Sequence, residues 1–201
     1  MAMPSLRPAH GVLFVLVAVL FFGLAMWMQR GGEPAAPLAC LEAWQSPLLE
    51  PMAEGTLTLA SLDGQAHGEL WLRNAGEGPQ LLFRSEGEGE DACNLEGELA
   101  LDDAERTSLL KALGGQSPEG EQPLSRQMLD QLGQHRLSAL EVRPQQLPDA
   151  ERLVASVGQP RLRLQLGVGE AWVYPVEGLT AQVVDGQVHR IRVVPRATLK
   201  Q

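Results

Sequence analysis

The sequence predicts an α+β fold: a single N-terminal transmembrane helix, then a mainly antiparallel β domain with about three short helices. Three observations predict it. Gly11 to Met28, GVLFVLVAVLFFGLAMWM, carries no charge. The rest of the chain is filled by short alternating runs punctuated by Asp-Gly and Gly-rich turns. Three short stretches read as helices, two of them behind an aspartate.

The apolar run comes first. At about 1.5 Å per residue it makes roughly 27 Å of helix, near the thickness of a bilayer's hydrocarbon core. A signal peptide has a shorter apolar stretch and then small residues. This run ends in Met26, Trp27 and Met28. A retained anchor is therefore expected, over cleavage near Ala25 or lipidation at Cys40. The expected organisation is a cytoplasmic head (residues 1–10), a transmembrane helix (11–28), a flexible Gly/Pro tether (29–39) and a periplasmic α+β domain (40–201). Arg7 and Arg30 flank the run and nearly balance. The orientation rests on the short head and the large domain. The expected location is a bacterial inner membrane, single-pass.

Cys40 and Cys93 are the chain's 2 cysteines. An even pair beyond an anchor suits one disulfide in an oxidising compartment. Two buried free thiols are the alternative. A bridge would close a loop of about 54 residues and stabilise the fold by about 4 kcal/mol on chain entropy.

Charge narrows the partners. The net charge is −9, which argues against nucleic acid. From Gly31 to Glu98 there are 13 acidic and 2 basic residues; from Leu99 to Gln201 there are 12 of each.

The domain then reads as follows. Thr56–Leu62 and Gly68–Arg73 flank Asp63-Gly64, a hairpin signal. Gln80–Ser85 and Cys93–Leu101 are strands, separated by a charged, Gly-rich loop, 86–91. Asp102 and Glu105 form a capping box for a helix over Ala104–Leu113. Leu124–Leu132 is a second helix and Arg136–Val142 a strand. Asp149 caps a third helix, Ala150–Val157, stopped by Gly158 and Pro160. The end is a meander: Arg161–Leu166, Ala171–Tyr174, Leu179–Val184 and Gln187–Val194, with the last turn at Asp185-Gly186. Leu57-Thr58…Asp63-Gly64-Gln65-Ala66-His67 echoes Leu179-Thr180…Asp185-Gly186-Gln187-Val188-His189 without a gap. Shared turn chemistry is favoured over duplication as the explanation.

Few residues suggest chemistry. Ser108-Leu109-Leu110-Lys111 has the spacing of serine acyl-enzymes, but its companion motifs are missing and Ser108 falls mid-helix. His67 and His189 would be metal ligands only if their turns met, and neither sits in a ligand cluster. No cofactor is expected. Arg161, Arg163, Arg190 and Arg192 form the most suggestive set. Each pair alternates with apolar residues and so shares one face of its strand. In one sheet, four guanidinium groups would gather on one surface, able to hold an acidic partner, a lipid phosphate or this protein's own acidic half.

The stretch Leu147–Pro195 carries a helix ending at Gly158-Gln159-Pro160, the strand Trp172-Val173-Tyr174 and the Asp185-Gly186 hairpin. It resembles the small periplasmic domain of the SmpA/OmlA lipoproteins, helpers of outer-membrane protein assembly. The resemblance implies an envelope protein as partner. The expected function is non-enzymatic: a domain that binds or scaffolds other cell-envelope components, with the inner membrane, an envelope protein and anionic lipid as partners. A lipid- or glycan-binding module is the alternative, and a serine hydrolase the least favoured reading.

Overall fold

In the computed structural model, residues 8–29, 35–75, 78–89, 91–112 and 120–200 are described; of the first stretch, side chains are described from Gly11 to Met26. Helix α1, Pro8–Gln29, belongs to one unit, 1–35, and all other elements to a second, Ala36–Gln201.

The transmembrane helix expected over 11–28 is corrected. Among the described residues no helix is long and apolar enough to cross a membrane. The single-pass inner-membrane location, drawn from that helix, is corrected with it.

The second unit opens with α2 (Ala39–Trp44), a π-helical turn (Gln45–Leu49) and α3 (Glu50–Glu54). Next comes α4, Leu59–Ala66, where the sequence predicts a strand and hairpin. The Thr58 hydroxyl accepts from Ser61 N–H at 3.3 Å and caps this helix. Leu59 and Leu62 then fall on one face, and both are fully buried. Thus Asp63-Gly64 lies inside a helix, where packing outweighs the turn propensity of the pair.

The remaining elements are β1 (Glu69–Ala75), β2 (Gly78–Ser85), β3 (Cys93–Leu99), α5 (Asp103–Ala112), β4 (Glu121–Pro123), α6 (Arg126–Gln131), β5 (Leu137–Pro144), α7 (Ala150–Val157), β6 (Leu162–Gln165), β7 (Glu170–Tyr174), β8 (Leu179–Val184) and β9 (Gln187–Val193). A 3₁₀ turn, Arg196–Lys200, follows β9. The capping box is present: Asp102 Oδ1 accepts from Glu105 N–H at 2.7 Å, and Glu105 Oε2 from Asp102 N–H at 2.9 Å. Asp149 precedes α7 but makes no side-chain cap; Ala150 N–H donates to Gly186 O at 2.8 Å instead. Asp185 (φ 52°) and Gly186 (φ 77°) make the last hairpin with the positive φ pair that suits strand twist.

Among the described residues all nine strands form one antiparallel sheet in the order β4-β1-β2-β3-β5-β9-β8-β7-β6. The registers define its two faces. One carries Leu70, Leu81, Phe83, Leu95, Leu140, Val142, Ile191, Val193 and Ala181, all buried. Leu41, Leu48, Met52, Leu62 and Leu153 from the helices belong to the same core. Each fully buried Leu contributes about 1.5–3 kcal/mol relative to exposure. Helix α4 comes close at Gly97, where a Cβ would lie 2.7 Å from Leu62 Cδ2. The sheet there needs glycine to admit the helix.

Cys40 and Cys93 form the expected disulfide, joining α2 to β3. Beside it Arg152 of α7 donates to Ala36 O, Pro37 O and both Asp91 oxygens. The Arg152 hydrogen bond holds the Asp91 carboxyl below its ordinary pKa. Leu38 N–H donates to Ser156 Oγ at 2.7 Å, and Leu38 is buried. The segment entering the domain is thus fixed from Ala36 onward.

Candidate functional site

Among the described residues the other face of the sheet is a field of paired charges around the buried Leu82 and Ala139. Strand alternation places Arg73 on β1, Arg84 on β2, Glu96 and Glu98 on β3, Glu141 and Arg143 on β5, and Arg190 and Arg192 on β9. Glu96 and Glu141 lie directly opposite each other. Like charges in that position destabilise a sheet, so each needs cations. Arg84 Nε lies 2.8 Å from Glu96 Oε2 and Arg73 Nη1 3.7 Å from Oε1. On the other side Arg143 Nε lies 2.5 Å from Glu141 Oε1 and Arg190 Nη1 4.0 Å from Oε2. Arg192 Nη2 lies 3.5 Å from Glu98 Oε2.

At the β4 end Arg84 also forks onto Glu121, with Nη2 2.8 Å from Oε1 and Nη1 on Oε2. That fork lowers the Glu121 pKa and raises the Arg84 pKa further above its already high value. Arg84 also lies 5.7 Å from the Trp71 ring centroid.

The vertical order of these charges matters most. The Glu141 side chain is 9% exposed, while Arg143, Arg190 and Arg192 are 54%, 55% and 51% exposed. Carboxylates form the floor and guanidinium groups the rim of a basin of about 240 Å³. Arg143 donates a hydrogen bond to the floor, and Arg190 and Arg192 stand in ion-pair range of it, each about half exposed.

The four arginines read from the sequence are divided. Arg163 sits opposite Trp172, which sits opposite Ala181, and Ala181 opposite Ile191. That row is the core face. Arg163 Cζ lies 4.1 Å above the Trp172 ring, a cation–π lid on the end of the core. Trp172 Nε1–H donates to Glu170 Oε2 at 2.7 Å, which lowers the Glu170 pKa. Arg161 lies just before β6 and donates its N–H to Val173 O at 3.0 Å. Arg190 and Arg192 lie on the opposite, open face. Sequence reasoning missed Arg73, Arg84, Arg143 and the three floor glutamates. The alternation Asn94-Leu95-Glu96-Gly97-Glu98 was the signal that could have found them.

A second hollow, about 240 Å³, lies between α2–α3 and the end of α7. Leu41, Leu49, Ala53, Val157 and Leu179 give it apolar walls, and Glu50, Glu177 and Arg196 line it too. Arg196 Nε is buried there without a hydrogen-bond partner among the described residues.

The other sequence candidates stay apart. Ser108 is exposed on α5. His67 precedes β1 and His189 lies on β9, four strand spacings away, about 19 Å. Among the described residues no group of three or more His, Cys, Asp or Glu is placed to hold a metal ion. No protein-family model, no curated protein and no solved structure matches this chain.

Proposed function

We propose that this chain is a non-enzymatic binding protein whose open sheet face docks an acidic segment of a partner protein. The observation that carries the reading is the raised rim of Arg143, Arg190 and Arg192 over the buried Glu141 and the partly buried Glu98. The floor gathers the guanidinium groups by one hydrogen bond, from Arg143, and two longer ion pairs, so a ligand carboxylate meets cations already brought together. The arrangement is local: the chain as a whole is acidic, at −9. General attraction of anions is therefore a poor competitor to this face. The disulfide fits an oxidising compartment, and the partner is expected there.

The test uses the double variant Arg190→Gln/Arg192→Gln. Arg143 remains on Glu141, the buried floor carboxylate, and Glu98, which loses Arg192, is 25% exposed and stays in contact with water. The probe is a fluorescent Glu-rich peptide, read by anisotropy at rising salt. The wild type should bind it, and salt should weaken the binding. The double variant should lose about tenfold or more, while its urea midpoint stays put. Equal binding by the variant refutes the reading.

The hollow at Arg196 favours a second reading, a small amphiphile with an anionic head. Its unpartnered Nε–H is the supporting observation. Binding of dansyl-labelled lauric acid that survives Arg190→Gln/Arg192→Gln and is lost in Ala53→Trp would establish it.

A further inference from the structure

The two edges of the sheet are built differently. β4 is Glu121-Gln122-Pro123, closed to strand addition by its length, its carboxylate and its proline. β6, Leu162-Arg163-Leu164-Gln165, has no such block. All four residues are exposed, and among the described residues no strand lies on its outer side. Leu162, Leu164 and Leu166 make an exposed apolar row at 45–49%. Arg163 is drawn back over Trp172, so its charge lies over its own sheet rather than guarding the edge.

The free backbone groups can be named. Leu166 N–H donates to Gly169 O at 3.0 Å. With Leu164 opposite Ala171 and Leu162 opposite Val173, the main-chain groups of the three leucines face β7. Those of Arg163 and Gln165 face outward. An incoming antiparallel strand must bond to these two residues.

We propose that the strand is β6 of a second copy, the two pairing antiparallel about Leu164. In a two-fold pair the residue on the axis opposes itself. With Arg163 on the axis, two guanidinium groups collide, a destabilising pair. With Gln165 on the axis, Arg163 faces Gly167 and Leu162 has no leucine opposite. With Leu164 on the axis, Arg163 faces Gln165 twice, Leu164 faces Leu164, and Leu162 faces Leu166 on both sides. This register uses every outward donor and acceptor of Arg163 and Gln165 and opposes no like charges. It also joins the two leucine rows into one stripe. The contact is isologous and closes, so it makes a dimer and not a fibre. The pair is short, so the dimer is weak and concentration-dependent. Because the axis stands normal to the sheet, both open charged faces end on the same side.

Cross-linking reads the register directly. Single variants Leu162→Cys, Leu164→Cys and Leu166→Cys of the full chain are oxidised with copper–phenanthroline, with Thr198→Cys as an exposed control. Products are resolved on a non-reducing gel. Facing Leu164 positions lie about 4.5 Å apart at Cα, within disulfide range. Leu164→Cys should cross-link to itself faster than the control. Leu162→Cys and Leu166→Cys should cross-link to each other when mixed and not each to itself. Adding Leu162→Lys to Leu164→Cys should slow its cross-link. Association through any other surface, or with a different partner's strand, gives none of this pattern. Leu164→Cys reacting no faster than Thr198→Cys, or Leu162→Cys reacting with itself at the Leu164→Cys rate, overturns the proposal.

Discussion

Replacing Tyr174 by Phe should make the protein more stable. Tyr174 is the chain's only tyrosine, 2% exposed, at the end of β7. Its hydroxyl is buried with no hydrogen-bond partner among the described residues. A buried polar group in that state costs about 1–3 kcal/mol of desolvation. Phe keeps the ring and its packing and drops the oxygen. The expected gain is about 1 kcal/mol, a rise of roughly 0.5 M in urea midpoint at a typical slope for a domain of this size. Tryptophan fluorescence reads the transition. A second readout comes from titration. Burial pushes the Tyr174 pKa up to about 12. In the unfolded chain the group ionises near pH 10. Its folded pKa is thus the higher one. Wild-type stability should be unaffected by this group below pH 10 and fall as pH rises from about 10 towards 12. The Phe variant should lack that fall. Absorbance at the tyrosinate band isolates the group, because the chain has no other tyrosine. A loss of more than about 1 kcal/mol in the variant, with a wild-type titration midpoint near 10, would refute the reasoning. The hydroxyl would then have a partner or ready access to water.

Two further outcomes are expected. Removing the Cys40–Cys93 bridge with paired alanines should cost about 4 kcal/mol in urea unfolding, since the bridged residues are 53 apart in sequence; a loss below about 1 kcal/mol would contradict a chain-entropy origin. Asp102→Ala should destabilise by about 1 kcal/mol, and adding Glu105→Ala should cost little more, because the two side chains cap α5 as one reciprocal unit.

Legibility followed the range of the determining interaction. The box at Asp102 and Glu105 and the turn at Asp185-Gly186 are set by neighbours within a few residues, and both are where the sequence predicts. The two echoed segments show the limit. Both read Leu-Thr, four residues, then Asp-Gly-Gln, yet one is α4 and the other a hairpin. The four residues between decide it. Leu59-Ala60-Ser61-Leu62 has helix formers and an i, i+3 apolar pair, whereas Ala181-Gln182-Val183-Val184 ends in β-branched residues. The arginine set failed for another reason. Each pair does alternate, but the parity between β6 and β9 passes through β7 and β8. It sets Arg163 level with Ile191 rather than with Arg190 or Arg192. No local pattern carries that information.

The strand order has a consequence in time. β5 does not pair with the strand that follows it. The chain travels to the far edge, lays down β6, β7 and β8 inward, and only β9 reaches β5, Leu140 beside Val193 and Val142 beside Ile191. A ribosome releases the chain from its N-terminus, so every residue of β1 to β5 emerges before the strand that covers its edge. Until Ile191 is out, β5 offers a row of open amides next to Leu140 and Val142, the most deeply buried residues of the finished strand. The last seam to close is the one that joins the two halves. A chain cut short just before Gln187 keeps most of its sequence and loses the closure on which the sheet's continuity depends.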